Sequence, residues 1–434
     1  MNQKTTIVLL TGILFLSCNP NRKIENTSSS PNQTAIVSLT KDLDSIQKNG
    51  QINGFAVAMV NQNGVLFEKG FGFSNRETKE KYTENTIQHI ASVSKTLIGI
   101  SLMKAQEMGK LNLDDPIQDY LSFEVMNPDY PEEKITLRHL ATHTSGINDT
   151  DEYMKRAWIL IKNQDLTNIR TDYPAQRLNS SEKDIPMETY LKGYLEPGGA
   201  YYQKENYINF KPGERYNYSN IGATLCALII EKATGKAFDS FTKQHILTPL
   251  NMNSTGWSLE DVDITKHSKL YRNDNSVLPL YTAITYPDGM LISSSSDMAK
   301  YLVELIKGYS GTGTLLKKES YEELFREQLK EQNFESRNAD HPYDEDYSPA
   351  IFIGHSALGY AGHSGGDAGV GTWMFFDKEK KTGRYIIINT DWGSDERAKE
   401  LEFYAIWDKM NEYFDKLTTE KPDYKKAVKN EPNK

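Results

Sequence analysis

Hydrophobic residues form short strand-like runs near both ends of the chain. Phe55 to Val60 and Val65 to Phe71 flank polar residues 61–64 and predict one β-hairpin. Near the C-terminus, Thr372 to Asp377 and Arg384 to Asn389 flank a turn of lysine and glycine and predict a second hairpin. Since strands occur at both ends, we expect one antiparallel sheet to which both termini contribute.

The pattern between the two hairpins is helical. Apolar runs predict helices at Thr96–Met108, Ile221–Thr234 and Asp297–Lys307, and a further helix follows the last strand at Asp395–Lys416. The end signals are an N-cap at Ser296 and stop glycines at Gly109, Gly235 and Gly308. The predicted fold class is therefore α/β (α+β), with an inserted, mostly helical lobe at about residues 110–285. The weakly periodic segment from Asp149 to Phe210 is assigned to this lobe.

The N-terminal residues are predicted to be a targeting segment rather than part of the fold. Lys4 precedes a mostly apolar stretch from Ile7 to Leu16, which is too short to span a bilayer. Ser17 before Cys18 resembles the bacterial lipobox, in which the signal is removed and the cysteine is lipidated. We expect a signal peptide at residues 1–17, a flexible tether at 18–35 and a lipid anchor on Cys18 in the bacterial envelope, facing the periplasm. A secretory signal followed by a chance cysteine is the alternative.

Composition and charge exclude several function classes. The chain carries 50 Lys+Arg against 59 Asp+Glu, a net charge of −9, and no long basic run. Nucleic-acid binding needs a clustered cationic face, so no nucleic-acid partner is expected. With Cys18 acylated, Cys226 is the remaining thiol, and no intrachain disulfide is expected. Residues 417–434 are predicted to be a solvated polar tail.

The first chemical motif is Ser92-Val93-Ser94-Lys95 at the start of the helix predicted from Thr96. Positions three apart share a helix face, so the Ser92 hydroxyl and the Lys95 amine would point into one site. A serine at a helix start has a free main-chain N–H, and burial of the lysine would disfavour its charged form. Such a pair can activate a serine nucleophile. By itself the motif also fits a capping serine beside a surface lysine.

Two further motifs lie far along the chain. Tyr218-Ser219-Asn220 offers a phenol, whose pKa neighbouring cations would lower for proton relay, and an amide that can donate and accept. Gly362-His363-Ser364-Gly365-Gly366 precedes the strand predicted from Thr372, and its glycines would let a substrate approach the backbone. Taken singly, the first also fits a helix cap and the second a glycine-rich turn.

Together and in this order, the three motifs resemble the serine β-lactamase and penicillin-binding protein superfamily on its class C side. That side includes class C β-lactamases, D-Ala-D-Ala carboxypeptidases, D-aminopeptidases and β-lactamase-like esterases. The resemblance covers about residues 40–411, and the stretches at 90–95, 137–146 and 289–294 are also similar to the family. It implies a β-lactamase/DD-peptidase-like fold for a serine hydrolase domain at residues 36–416.

The resemblance also implies roles for individual residues. Ser92 would be the acylated nucleophile, with Lys95 and Tyr218 handling its proton and later activating water. The main-chain N–H groups of Ser92 and Gly366 would form the oxyanion hole. Asn220 would contact substrate and Lys95, and the third motif would complete the substrate site with His363, Ser364 and Gly365. We expect no metal and no cofactor, and a small peptide, ester or β-lactam as substrate.

Two features depart from the family pattern. His363 stands where β-lactamases usually have lysine, and a largely neutral imidazole binds the carboxylate of a β-lactam less well than a permanent cation does. This favours a peptidase or an esterase over an efficient β-lactamase. The stretch between Gly146 and Gly213 is longer than usual in the family and would border the substrate cleft, so we expect specificity to depart from that of any named relative.

Other hypotheses use the same residues. The third motif also satisfies G-x-S-x-G, the nucleophile elbow of α/β-hydrolases, but His363 is the last histidine of the chain and that motif needs a later one. His139 and His143 are four apart, as zinc ligands can be, yet they lack the glutamate of H-E-x-x-H, and we interpret them as structural. A non-catalytic receptor for cell-wall peptides or β-lactams and a true class C-type β-lactamase remain as alternative functions.

Overall fold

The computed structural model describes residues 32–167, 169–173, 177–337, 339, 343–391 and 397–418. Its helices are α1 (Gln33–Asn49), α2 (Lys95–Glu107), α3 (Leu137–Ala141), α4 (Asp151–Arg156), α5 (Met187–Leu195), α6 (Asn220–Thr234), α7 (Phe238–Thr242), α8 (Ser295–Tyr309), α9 (Lys318–Phe325) and α10 (Arg397–Thr418). Its strands are β1 (Gly54–Asn61), β2 (Gly64–Asn75), β3 (Glu80–Lys81), β4 (Ile87–His89), β5 (Trp158–Leu160), β6 (Tyr281–Ala283), β7 (Ile292–Ser294), β8 (Gly354–His355), β9 (Tyr360–Asp367), β10 (Val370–Asp377) and β11 (Thr382–Ile388).

Strands from the two ends of the chain meet in the middle of one antiparallel sheet. Seven of the described strands form it in the order β3-β2-β1-β11-β10-β9-β8. The contact between the termini is the pairing of β1 with β11, in which Phe55 lies opposite Ile388. The shorter pairs β4–β7 and β5–β6 lie outside this sheet. The predicted fold class, with an antiparallel sheet from both termini and flanking helices, is confirmed.

The central strand β1 separates two hydrophobic cores. Its side chains alternate between the two faces of the sheet, as strand geometry requires. The larger residues Phe55, Val57 and Met59 pack in one core with residues of α1 and α10, such as Leu39 and Trp407. The intervening small residues of β1 pack on the opposite face with α2 and α8. Burial on both faces explains why β1 is apolar almost throughout.

Helix α6 forms the centre of the helical region and fixes one wall of the functional site. Its residues from Ile221 to Ile230 are all buried, because neighbouring helices surround it. The helix begins at the N-cap Ser219, whose hydroxyl accepts from the Gly222 N–H at 2.9 Å. It ends at Gly235, which adopts the left-handed conformation with φ +68°. The stop predicted at Gly235 is therefore confirmed.

The predicted elements match the observed ones closely, with a few differences at their ends. Both predicted hairpins are confirmed as β1–β2 and β10–β11. Helix α8 is capped by Ser294 rather than Ser296, and it continues past Gly308 to Tyr309, so the cap and stop predicted there are wrong. Gly308 instead accommodates the ring of Tyr321.

Some predictions at the chain ends meet the structure only in part. Helix α1 begins at Gln33, so the last residues of the predicted tether are helical, and Ala35 is buried. Helix α10 ends at Thr418, so the first two residues of the predicted polar tail are helical. The signal peptide and Cys18 lie outside the described residues, as does the tail from residue 419 onward. In the part of the chain that is described, no helix combines the length and apolarity needed to cross a bilayer.

Candidate active site

Ser92 is presented by a tight 3₁₀ turn, Ala91–Ser94, that leads directly into α2. Ala91 holds the left-handed conformation at φ +48°, which non-glycine residues adopt rarely and which clusters at functional positions. The Ser94 hydroxyl donates to the Ala91 carbonyl at 2.7 Å and fixes the turn. Ser94 is fully buried, whereas Ser92 stays partly exposed. The turn thus leaves Ser92 accessible while its neighbours Ala91, Val93 and Ser94 are buried.

Lys95, the first residue of α2, is entirely buried directly behind Ser92. Its Nζ donates to the Ser92 Oγ at 3.0 Å and to the main-chain oxygen of Asp288 at 2.7 Å. Burial lowers the pKa of Lys95 to about 8, although nearby carboxylates, Asp288 first among them, oppose the shift. The desolvation expected for this lysine is therefore found. An amine with this pKa can accept the Ser92 proton near neutral pH.

Tyr218 closes the other side of the nucleophile. Its hydroxyl is a hydrogen-bonding neighbour of the Ser92 side chain, and its ring centroid lies 5.1 Å from Lys95 Nζ. Burial raises the pKa of Tyr218 well above 10, and the charge of Asp346 adds to this effect. The expectation that cations would lower this pKa is wrong, because desolvation dominates and only the hydrogen bond with Ser92 opposes it. Tyr218 is consequently a protonated phenol that is suited to donating a proton.

Asp149 anchors the second motif. One carboxylate oxygen accepts from the Asn220 N–H at 2.7 Å, and the other accepts from the Ser219 hydroxyl at 2.9 Å and the Ile221 N–H at 3.1 Å. Its negative charge lies at the N-terminus of α6, where the helix dipole favours an anion. Burial raises the pKa of Asp149, and these hydrogen bonds oppose the rise. Asp149 therefore positions the loop that carries Tyr218.

Asp288 fixes Lys95 from behind. Its main-chain oxygen receives the Lys95 hydrogen bond, and its carboxylate accepts from the Tyr153 and Thr224 hydroxyls, each at 3.2 Å. Burial raises the pKa of Asp288 to about 6, while the charge of Lys95 opposes this shift. Asp288 thus holds the lysine through its backbone and balances its charge through its side chain.

The third motif belongs to β9 and is not the turn that its glycines suggested. A Cβ at Gly365 would lie 2.9 Å from both the Ser92 nitrogen and the Ile90 oxygen, so only glycine allows this approach. The Ser364 N–H points away from β10 and donates to a carboxylate oxygen of Glu345 at 3.0 Å. Since the N–H groups of every second residue of a strand point in the same direction, the Gly366 N–H also points away from β10. A Cβ on Gly366 would meet no atom within 4 Å, so space is open beside the predicted oxyanion donor.

His363 lines the cleft as a neutral imidazole. Its Nδ1 lies 2.5 Å from the main-chain oxygen of Ser364, and because a carbonyl only accepts, Nδ1 carries the proton. Burial, together with the charge of Lys95, lowers the pKa of His363 to about 4. The neutral state expected for His363 is therefore found. Its ring centroid lies 6.2 Å from that of Tyr218.

Asn220 does not make the predicted contact with Lys95. Its backbone N–H donates to Asp149, and among the hydrogen bonds of the described residues none joins its side chain to the lysine. The Asn220 side chain is partly exposed at the start of α6 and remains available to a substrate.

The two histidines considered as zinc ligands serve the backbone instead. His139 Nδ1 accepts from the Thr136 N–H at 3.2 Å in a capping box, and His143 Nδ1 accepts from the Ser219 N–H at 3.2 Å. His143 also stacks beside Tyr218, with ring centroids 4.5 Å apart. Across the residues that the structure describes, no three His, Cys, Asp or Glu side chains form a group able to hold a metal.

The nucleophile-elbow hypothesis also fails on structure. An elbow requires a strand, a sharp turn and then a helix. Gly362 to Gly366 lie within β9, and the next element is β10, to which β9 pairs in antiparallel fashion. The hydroxyl of Ser364 therefore has no elbow geometry.

Sequence reasoning missed three carboxylates of the site. Asp288 directly precedes the family-like stretch that begins at Gly289, and Asp149 follows the one that ends at Gly146, so each lies close to a usable signal. Glu345 belongs to a short acidic run with no distinctive spacing, and only the fold brings it to Ser364.

Comparisons with known proteins identify the family and the fold. The sequence model of the family described as Beta-lactamase matches residues 39–406. Among curated proteins, a penicillin-binding protein of Bacillus subtilis (strain 168) is 27% identical over 267 residues, covering 58% of this chain and 51% of that protein. Protein flp of Staphylococcus aureus (strain MW2) is 25% identical over 258 residues and is covered to 45%. This chain thus spans about half the length of the curated relatives it matches.

Solved structures share the fold. A penicillin-binding protein homologue from Pyrococcus abyssi, described as octameric, superposes with a TM-score of 0.61 at 24% identity, covering 82% of this chain and 73% of that one. A Beta-lactamase/D-alanine Carboxypeptidase from Yersinia pestis gives a TM-score of 0.61 at 18% identity, covering 88% of this chain and 99% of that one.

Proposed function

This chain belongs to the beta-lactamase family of serine hydrolases, as its three motifs predicted, and we propose that it cleaves an amide or ester through an acyl-enzyme on Ser92. The candidate substrates are D-amino-acid peptides, carboxylic esters and β-lactams. The observation that carries the proposal is the 3.0 Å contact between Lys95 Nζ and Ser92 Oγ, made by a fully buried lysine.

The reaction would proceed in two halves that use the same groups. In acylation, neutral Lys95 takes the Ser92 proton while Oγ attacks the substrate carbonyl, and Tyr218 gives a proton to the leaving amine or alkoxide. The developing oxyanion would be held by the N–H groups of Ser92 and Gly366. In deacylation, water attacks the Ser92 ester and gives its proton to Lys95 and Tyr218. The Ser92 hydroxyl is then restored, and a carboxylic acid is released.

The third motif supports a peptidase or esterase over an efficient β-lactamase. His363 is neutral near pH 7, so it supplies no permanent cation for the carboxylate of a β-lactam. Similar proteins include a penicillin-binding protein and a Beta-lactamase/D-alanine Carboxypeptidase, which agrees with acyl transfer on peptide-like substrates.

One side-by-side assay tests this proposal. Nitrocefin, a short p-nitrophenyl ester and a D-Ala-D-Ala peptide would be offered to the wild-type protein and to Ser92→Ala. We expect turnover of the ester or the peptide, little turnover of nitrocefin, and loss of all activity in Ser92→Ala. Rapid nitrocefin hydrolysis would instead indicate a class C-type β-lactamase. Stable penicillin labelling with no turnover of any substrate would indicate a receptor and contradict the proposal.

We also propose that the protein is a lipoprotein of the bacterial envelope, anchored through Cys18 and facing the periplasm. The support is the sequence of the N-terminal segment, with its apolar stretch before Ser17-Cys18. Membrane fractionation of the wild type and Cys18→Ser tests this, with Cys226→Ser as the matched control. Release of only the Cys18 variant is expected, since one acylated cysteine supplies the anchor. Equal partitioning of all three proteins would contradict it.

A further inference from the structure

We propose that Glu345 determines specificity by excluding a carboxylate from the leaving group of the substrate, because its own carboxylate already occupies the hydrogen-bond donors of Ser364. This inference rests on the proposed function, since it concerns the substrate of the same acyl transfer. The main-chain N–H of Ser364, at 3.0 Å, and its hydroxyl both donate to one oxygen of Glu345. Two donors that converge on one carboxylate oxygen form a carboxylate-binding position, and the chain fills this position with its own side chain.

The Ser364 donors lie on an edge of β9 that is otherwise open to a ligand. Strand β8 pairs with β9 only as far as Gly362, and beyond that residue β9 pairs, among the described strands, only with β10. On this edge the Ser364 N–H is followed, about 7 Å along the strand, by the N–H of Gly366, the predicted oxyanion donor. A substrate held at Gly366 therefore meets Glu345 if it continues along the edge towards β8.

Glu345 lies on the leaving-group side of the site. Tyr218, the proposed proton donor to the leaving atom, has its ring centroid 6.2 Å from that of His363, the neighbour of Ser364. Tyr218, His363 and Glu345 also line one small cavity. A group that departs with the Tyr218 proton consequently passes His363 and Glu345.

The main chain, and not only the side chain, fixes the position of Glu345. Ser348 exchanges two main-chain hydrogen bonds with His355 of β8, at 3.1 and 3.3 Å, and these bonds tie the turn Glu345–Tyr347 to the sheet. A Cβ at Gly354 would overlap the main chain of Glu345, so only glycine permits this contact. Glu345 is thus a fixed part of the strand edge.

The charges of this turn also disfavour a second carboxylate. Asp346 adds an acidic side chain next to Glu345, and among the ion pairs of the described residues none involves either acid. Arg337, which donates to the Tyr347 carbonyl of the same turn, pairs with Glu331 instead. A carboxylate on the leaving group would therefore meet unpaired negative charge and occupied donors, whereas an uncharged leaving group avoids both costs.

Two esters of one acyl group test this inference. The N-acetylglycyl esters of 3-hydroxybenzamide and 3-hydroxybenzoate have leaving groups of nearly equal size, one neutral and one anionic. For the wild type at pH 7, we expect kcat/KM for the benzamide ester to exceed that for the benzoate ester about tenfold or more, after each is divided by its rate of uncatalysed hydrolysis. Because both rates are measured on one sample, their ratio does not depend on the folded fraction of a variant.

Two variants separate the charge of Glu345 from its hydrogen bonds. Glu345→Gln keeps an acceptor for Ser364 but removes the charge, and it should lower the ratio severalfold. Glu345→Ala also frees the two donors and should lower the ratio further, so that the benzoate ester is used at least as well as the benzamide ester. Glu322→Gln, which removes one exposed acid of α9, is the control for net charge and should keep the wild-type ratio.

The outcomes distinguish this inference from the proposed function. Equal use of the two esters by the wild type, or an unchanged ratio in both Glu345 variants, would overturn the inference alone. Failure to cleave the benzamide ester while a fluorophosphonate still labels Ser92 would also overturn it, since it requires an uncharged leaving group to be accepted. Absence of Ser92 labelling would overturn the proposed function, and this inference with it.

Discussion

The Nζ atom of Lys95 lies 3.0 Å from the Oγ atom of Ser92, although the lysine is entirely buried. A buried ammonium is costly unless it is partnered, and the hydrogen-bond partners of Lys95 among the described residues are a hydroxyl and a main-chain carbonyl rather than a carboxylate. The incomplete compensation is the physical cause of the lowered lysine pKa. The fold therefore uses burial to obtain a base beside its nucleophile.

The first prediction is a pH dependence of kcat/KM. Lys95 must be neutral to accept the Ser92 proton, and its pKa is about 8, so activity should rise as the pH passes from 6 to 9. The midpoint of this ascending limb should lie near pH 8. Steady-state rates from pH 5 to 10 with an uncharged ester measure it. A profile that is flat over this range would remove Lys95 from the role of base.

Lys95→Ala should lose about 100-fold or more in kcat/KM, together with the ascending limb. Lys110→Ala, an exposed position just beyond the end of α2, is the matched control and should keep both the rate and the limb. Near-wild-type turnover in Lys95→Ala would contradict the assignment.

Tyr218→Phe tests the phenol as a proton donor. Burial keeps Tyr218 protonated well above pH 10, so removal of its hydroxyl should lower kcat by about 100-fold and change KM little. Tyr130→Phe, on a tyrosine outside the cleft, should have no such effect. If KM alone rises in Tyr218→Phe, the residue only contacts substrate.

Asp149→Asn tests the hydrogen bonds that the Asp149 carboxylate accepts at the start of α6. The carboxylate accepts two main-chain N–H groups and a hydroxyl, and an amide cannot satisfy all three. We expect the free energy of unfolding to fall by about 1–3 kcal/mol, and turnover to fall with it because Tyr218 loses its position. Urea denaturation and kcat measure the two effects. Asp151→Asn, whose side chain is 90% exposed, should leave both unchanged.

His355 gives a prediction about stability and pH that is independent of the active site. Its Nε2–H donates to the Phe325 carbonyl at 2.8 Å, and its Nδ1 accepts from Lys378 Nζ at 3.1 Å. Burial, reinforced by the charge of Lys378 and opposed by Glu327, lowers the pKa of His355 to about 4. Below pH 6.5 the unfolded chain binds a proton here that the folded chain does not, so the free energy of unfolding falls as the pH falls from 6.5 to 4.

The variant His355→Gln removes this site. The free energy of unfolding falls in both proteins when the pH is lowered from 7 to 5. This fall should be about 2 kcal/mol smaller in His355→Gln than in the wild type, the value expected for one such histidine. Urea denaturation at the two pH values measures the difference, and each protein serves as its own reference. Equal losses in the two proteins would show that His355 is protonated in the folded state.

Local sequence pattern predicted most of the fold, because the responsible contacts are short-range or repeat regularly. The strands of β1–β2 and β10–β11 follow from apolar runs separated by turn residues, and α6 follows from its apolar length and its closing Gly235. The strand β9 was not predicted, because its glycines lower strand propensity and its pairing with β10 is a tertiary contact.

Contacts of the site between residues of one sequence motif could be predicted from the sequence. Contacts between residues that only the folded chain brings together could not. Ser92 and Lys95 are three positions apart on one turn, so their contact follows from helix geometry. Glu345 meets Ser364 across 19 residues, and no spacing rule predicts that contact. The pKa of Tyr218 was mispredicted for a related reason, since burial is a property of the whole fold.

Intact-protein mass spectrometry after treatment with a fluorophosphonate tests the central claim most directly, that the Ser92 hydroxyl is an activated nucleophile. The account predicts a single adduct with loss of fluoride, located on the peptide that contains Ser92. The adduct should be absent from Ser92→Ala and retained in Ser101→Ala, which alters a buried serine of α2 outside the turn. An adduct that persists undiminished in Ser92→Ala would contradict the account.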